Sequence, residues 1–87
     1  MKYVIEYAEE FDWKSLERIT KRDLIIIRKT IEEKLTVAPE IFGKPLQETL
    51  KGHRRLRVGM YRVIFVIKNN KVIITRIAQR SKVYRSR

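Results

Sequence analysis

The chain has 87 residues, no cysteine and a single histidine, with 21 Lys and Arg against 10 Asp and Glu, a net charge of +11. That length holds one domain, and a domain of this size buries only about 60% of its unfolded surface. A disulfide framework, a cysteine-based redox or metal site and a multi-histidine metal site are excluded; no apolar run approaches the ~18 residues of a membrane span and the N-terminus lacks a signal-peptide pattern, so a soluble cytoplasmic protein is expected.

KYVIEY (2–7) reads as a first strand, with Val4 facing opposite to Tyr3, Ile5 and Tyr7. Residues 9–18, EEFDWKSLER, predict a short helix carrying Phe11, Trp13 and Leu16. Thr20 followed by Asp23 is an N-cap pattern before Leu24, Ile27, Ile31 and Leu35, so a longer helix is expected over about 21–36. Together the two make a helical hairpin. Residues 37–52 hold both prolines and two of the three glycines and read as a connector. Three strands follow: HRRLRV (53–58), YRVIFVIK (61–68) and KVIITRI (71–77), the last two joined by an Asn69–Asn70 turn. The middle run is apolar on both faces and belongs inside the sheet. The tail AQRSKVYRSR is polar and basic. The expected fold is α+β: an antiparallel sheet of about four strands, with the helical hairpin on one face and the other face free, in a single domain over 1–87.

The charge is unevenly distributed. Residues 1–50 carry 9 basic and 10 acidic side chains, whereas residues 51–87 carry 12 basic and no acidic ones. A phosphate-bearing partner or an acidic protein explains such a bias. In HRRLRV, Leu56 and Val58 want the core and take Arg54 with them, so His53, Arg55 and Arg57 should look out from the helix-free face. Arg62 is placed to reach the sheet rim beside the Gly59 bend, and Arg76 and Arg80 lie toward the far end of the last strand. The guanidinium fork suits phosphate and stays charged at any working pH. Arg54 and Arg57 read equally as surface or structural pairs, Arg76 as a solvated strand residue, and Tyr61 and Trp13 as core. His53 reads as a surface residue before a catalytic one. Tyr84 either packs the tail or meets a ligand.

L-K-G (50–52), R-L-R-V-G-x-Y-R (55–62) and R-x-x-V-Y (80–84), in that order and spacing, resemble the RelE/ParE superfamily of bacterial and archaeal toxins over essentially the whole chain. The resemblance implies a toxin that forms a hetero-oligomeric complex with a RelB-like antitoxin. In its RelE-like branch it implies an endoribonuclease acting on messenger RNA in the ribosomal A site, with no metal or cofactor. A ribose 2′-hydroxyl attacks the adjacent phosphate, leaving a 2′,3′-cyclic phosphate and a 5′-hydroxyl. Matched to the motif, Arg55 and Arg62 would clamp the phosphate, Arg80 would stabilise the leaving oxygen, and Tyr84 would stack on a base or take the 2′-proton. His53, Arg57, Lys51 and Lys82 would contact the RNA. The chain departs from the pattern where lysines are common, at His53 and Arg55, and at Gln79, where histidine is common. Arginine cannot serve as a base, whereas His53 can. The alternatives are a ParE-like, non-enzymatic inhibitor of DNA gyrase and a catalytically weak RNA-binding relative.

Overall fold

The computed structural model describes residues 2–45 and 52–79. Strand β1 (Val4–Tyr7) is followed by a 3₁₀ turn over Trp13–Arg18, then helix α1 (Lys21–Thr30), which continues without a break as a wider π turn over Ile31–Leu35. Helix α2 (Pro39–Phe42) and a two-residue strand β2 (Lys44–Pro45) lead to the long strands β3 (His53–Val58), β4 (Tyr61–Lys68) and β5 (Lys71–Gln79). The strand order is β1-β5-β4-β3-β2. Among the described residues, no helix is long and apolar enough to cross a membrane.

Among the described residues the sheet therefore has five strands and is mixed. Strands β2 to β5 run antiparallel in sequence, whereas β1 pairs parallel to β5. An all-antiparallel sheet was expected from the local patterns. The parallel pair arises because the helical segment carries the chain back across the sheet before β5 is made, as a parallel neighbour requires. The first helix is also smaller than its sequence predicts. Its start is delayed by Asp12, whose carboxylate accepts from the Lys14 amide at 3.1 Å and whose carbonyl accepts from Ser15 Oγ at 2.6 Å. Trp13, expected in the core, is 56% exposed and instead forms an aromatic cluster with Tyr7 and Phe11, ring centroids 4.7–5.1 Å apart.

Helix α1 begins where expected, with Thr20 Oγ1 accepting from the Asp23 amide at 3.1 Å. Its apolar stripe, Ile27, Ile31 and Leu35, packs onto Leu56, Val58, Val63, Phe65, Val72, Ile74 and Ile77. Each buried aliphatic side chain here contributes roughly 1.5–3 kcal/mol relative to exposure. Two two-residue turns close the hairpins. Gly59 (φ 58°) lies between Val58 and its partner Tyr61, and Asn69 (φ 57°) between Lys68 and its partner Lys71. Glycine and asparagine enter this left-handed region at least cost.

Strand β5 carries a bulge at Thr75. Ile64 faces Arg76 while Phe65 faces Ile74, and Thr75 Oγ1 donates to the Ile64 carbonyl at 3.2 Å. The extra residue changes which side chains share a face. Ile74 and Ile77 are both buried in the helix-side core, and Arg76 is turned to the helix-free side.

Candidate functional site

The register of β3, β4 and β5 sets the helix-free face in rows. Arg57, Arg62 and Ala78 form one row, and Arg55, Ile64 and Arg76 the next, which β2 extends with Lys44 opposite Arg55. His53, Val66 and Ile73 form the third. Adjacent strands lie ~4.8 Å apart and alternate residues ~7 Å apart along a strand. Arg62 thus has Arg57 directly across from it and Arg55 and Arg76 as its two diagonal neighbours, on opposite sides. Four arginines are register neighbours on one region of the sheet.

Their environments differ. Arg62 is only 3% exposed, as is the neighbouring Ile64, whereas Arg55 is half-buried and Arg57 and Arg76 are exposed. The rim position predicted for Arg62 is not the one it takes; two residues into a central strand, it is covered. A buried cation interacts with an anion far more strongly than one in water, because the local dielectric is lower. Arg57 and Arg62 are paired across neighbouring strands, so an anion that reaches both meets two positive charges. The scaffold beneath is rigid: Val63 and Phe65, on the reverse of the same strand, are fully buried.

His53 shares this face, half-buried, and its Nδ1 is buried with no hydrogen-bond partner among the described residues. It stands ~7 Å from Arg55 along the strand and ~13 Å from Arg57. An anion gripped by Arg55 is within its neighbourhood, while one gripped only by Arg57 and Arg62 is not. Arg54 lies on the helix side, as its alternation with Leu56 requires. Its Nη1 donates to the Gly43 carbonyl at 2.9 Å and to the Glu40 carbonyl at 3.4 Å, which ties the end of α2 to β3. It is a structural arginine. Tyr61 also faces the helices, where its hydroxyl donates to Asp23 Oδ2 at 3.3 Å.

Of the residues predicted for the site, the structure brings together Arg55, Arg57, Arg62 and His53. Lys51, Arg80, Lys82 and Tyr84 lie outside the described residues. One cation on the face, Lys44, was not singled out, and Arg76 was read as a solvated strand residue. Lys44 was hidden in a segment read as connector. Arg76 was placed by the bulge, which no alternation pattern announces. Among the described residues, no three His, Cys, Asp or Glu side chains cluster as metal ligands would.

Comparison with known proteins adds an independent line. The family model described as ParE toxin of type II toxin–antitoxin system, parDE, matches residues 5–84. None of the curated proteins matches. Among solved structures, the toxin–antitoxin complex RelBE2 of Mycobacterium tuberculosis aligns with a TM-score of 0.81 and 26% identity, over 92% of this chain and 100% of that one. The RelB–RelE antitoxin–toxin complex of Methanococcus jannaschii aligns at 0.67 and 23% identity, over 91% of this chain and 94% of that one. The chromosomal ParDE system of P. aeruginosa aligns at 0.67 and 16% identity, over 90% and 96%. The last two likenesses concern the fold alone.

Proposed function

We propose that this chain, which belongs to the ParE toxin family of type II toxin–antitoxin systems within the RelE/ParE superfamily, is a ribosome-dependent endoribonuclease that cuts messenger RNA in the A site and is neutralised by an acidic antitoxin. The observation that carries this reading is the seating of Arg62, buried on the helix-free face with Arg57 opposite and Arg55 and Arg76 on its diagonals. Attack of a 2′-hydroxyl on its phosphate builds negative charge on the non-bridging oxygens. Fixed guanidinium donors in a partly dry site stabilise that charge without reorganising. Arg62 and Arg55 take this role. His53, beside Arg55, carries an imidazole that would serve as the proton acceptor. Arg80 and Tyr84 keep the roles that the family resemblance implies, the first at the leaving oxygen and the second at a base or the 2′-hydroxyl. Arg57, Lys44, Arg76, Lys51 and Lys82 hold the RNA backbone. The likeness to RelBE2 supports the RelE-like branch.

A second reading, gyrase inhibition without catalysis, is favoured by the family model that matches, which carries the ParE name. Primer extension on messenger RNA from a translation reaction separates the two. Wild type should give cuts within A-site codons, and Arg62→Ala and Arg55→Ala should lose about 10²–10⁴-fold in cleavage. Circular dichroism of each variant checks that the fold survives the loss of a buried arginine. No cuts from the wild type, together with inhibition of DNA supercoiling, would overturn the nuclease reading in favour of the second.

A further inference from the structure

Between the 3₁₀ turn and the outer edge of β5 lies a cavity of about 620 Å³, within the range of sites that hold small molecules. One wall is strand backbone. β1 accompanies β5 only from Lys71 to Ile74, and the Ala8 amide ends the pairing by donating to the Ile74 carbonyl at 2.9 Å. From Thr75 to Gln79 the inner side of β5 stays on β4, and among the described residues nothing pairs with the outer side. Buried Phe11, Ile19 and Ile77 give the cavity an apolar floor.

Three kinds of contact meet a ligand there. Alternate residues of a strand turn both N–H and C=O to one side, so the free edge offers a carbonyl and, two residues on, an amide. The Watson–Crick edge of adenine carries the complement, an amino donor beside a ring-nitrogen acceptor. Cations stand on two walls, Lys14 and Arg18 on the 3₁₀ turn and Arg76 on the strand. Two of the three are guanidinium forks, which match phosphate oxygens. Glu10 and Asp12 are the carboxylates among the lining residues. Asp12 is engaged, accepting from the Lys14 amide at 3.1 Å, whereas Glu10 is exposed. A carboxylate that accepts from ribose hydroxyls is a known way of reading the sugar of a nucleotide.

We propose that this cavity binds a ribonucleotide, with an adenine base against the free edge of Thr75–Gln79, the ribose hydroxyls at Glu10 and the phosphate between Lys14, Arg18 and Arg76. The site does not depend on the nuclease reading. Charge selects the occupant. A ligand that carries hydroxyl donors as well as an anion suits a carboxylate set among cations, whereas an acidic peptide would meet Glu10 with like charge. The same chemistry reaches the cavity from two sources, a free nucleotide or one unit of an RNA strand. Arg76, a diagonal neighbour of Arg62, is the residue that the cavity shares with the cationic face.

The test is an NMR titration of the ¹⁵N-labelled chain with 5′-AMP. Adenosine, inorganic phosphate, 2′-deoxy-AMP, a hepta-adenylate and a blocked valine–glutamate heptapeptide serve as comparison probes. AMP should shift the amides of Thr75–Gln79 together with those of Lys14 and Arg18. Adenosine and phosphate should each bind about tenfold more weakly than AMP, and the surface double variant Lys14→Gln/Arg18→Gln should weaken AMP by a similar factor. Glu10→Ala should remove the preference for AMP over its deoxy form. Hepta-adenylate that shifts the same amides along with Arg55 and Arg57 assigns the cavity to a unit of RNA; AMP shifts that it does not reproduce assign it to free nucleotide. Four outcomes would overturn the proposal: no shift at 75–79 with millimolar AMP, shifts confined to His53, Arg55 and Arg57, adenosine binding as tightly as AMP, or the heptapeptide moving the same amides at lower concentration, which would assign the cavity to polypeptide. None of these readouts needs a ribosome or a cut messenger, so failure here and failure of the nuclease reading are separate results.

Discussion

Gly43 is the residue whose replacement tests the packing under the site most directly. Its backbone is ordinary extended chain (φ −97°, ψ 127°), so alanine meets no conformational penalty there. Space is the difficulty. A Cβ would lie 2.2 Å from Phe65 Cζ, 2.8 Å from Cε1 and 2.9 Å from the Pro39 carbonyl oxygen. Carbon atoms in good contact lie ~3.5–4.0 Å apart, so the ring would have to withdraw by more than ~1 Å. It has nowhere to go, because Phe65 is fully buried in the core and Pro39 closes the other side with backbone. Overpacking of this kind costs about 1–3 kcal/mol and more where neither neighbour can yield. We expect Gly43→Ala to lose about 3 kcal/mol, which for a domain of this size lowers Tm by roughly 12–24 °C. Urea denaturation should show the midpoint falling with the slope unchanged. Phe65→Leu, which removes the offending ring atoms, should be less than additive with Gly43→Ala, since the two residues are in contact. A loss below about 1 kcal/mol for Gly43→Ala, or strict additivity of the pair, would refute the steric account.

Three further outcomes are expected. Thr20→Ala removes the side-chain acceptor for the Asp23 amide at the start of α1 and should cost about 1 kcal/mol in urea denaturation. Arg54→Met keeps the aliphatic stem but releases the Gly43 and Glu40 carbonyls; stability should fall by about 1 kcal/mol, and amide exchange should quicken around residues 40–45 while β5 is unaffected. The Tyr3 hydroxyl donates to Glu40 Oε2 at 2.6 Å; this bond holds the Glu40 carboxyl below its ordinary value and, with burial and the carboxylate charge, holds the Tyr3 phenol above its own. A depressed carboxyl adds stability above its unfolded pKa, and that stability is lost as pH falls through the folded value. Tyr3→Phe should therefore move the ¹³C-detected titration of Glu40 upward and flatten that part of the acid limb; an unmoved Glu40 would show that the phenol is not the cause.

Much of the architecture is legible in local patterns, because each depends on a short-range physical period. The helix over 21–35 follows from Leu24, Ile27, Ile31 and Leu35 at helical spacing behind a Thr20 cap. The central position of β4 follows from its two apolar faces, and the outward aim of His53, Arg55 and Arg57 from Leu56 and Val58 choosing the core. The family resemblance rests on the same runs, and the match over residues 5–84 bears it out.

What the local patterns could not hold is everything set by pairing at a distance. Whether β1 lies parallel or antiparallel to β5 depends on where the helix returns the chain, and residues 2–7 contain no trace of it. Strict alternation from Val72 and Ile74 would send Arg76 to the core side; the bulge at Thr75 inserts one residue and reverses that assignment, and only the competition between β4 and β5 for register creates it. The burial of Arg62 has the same origin. Its type and parity are written in the chain, but its enclosure, and its place between Arg57, Arg55 and Arg76, exist only once three strands lie side by side. The chain determines which side chains are cations and which way each alternates. The sheet determines which of them meet, because meeting is a property of register and not of order.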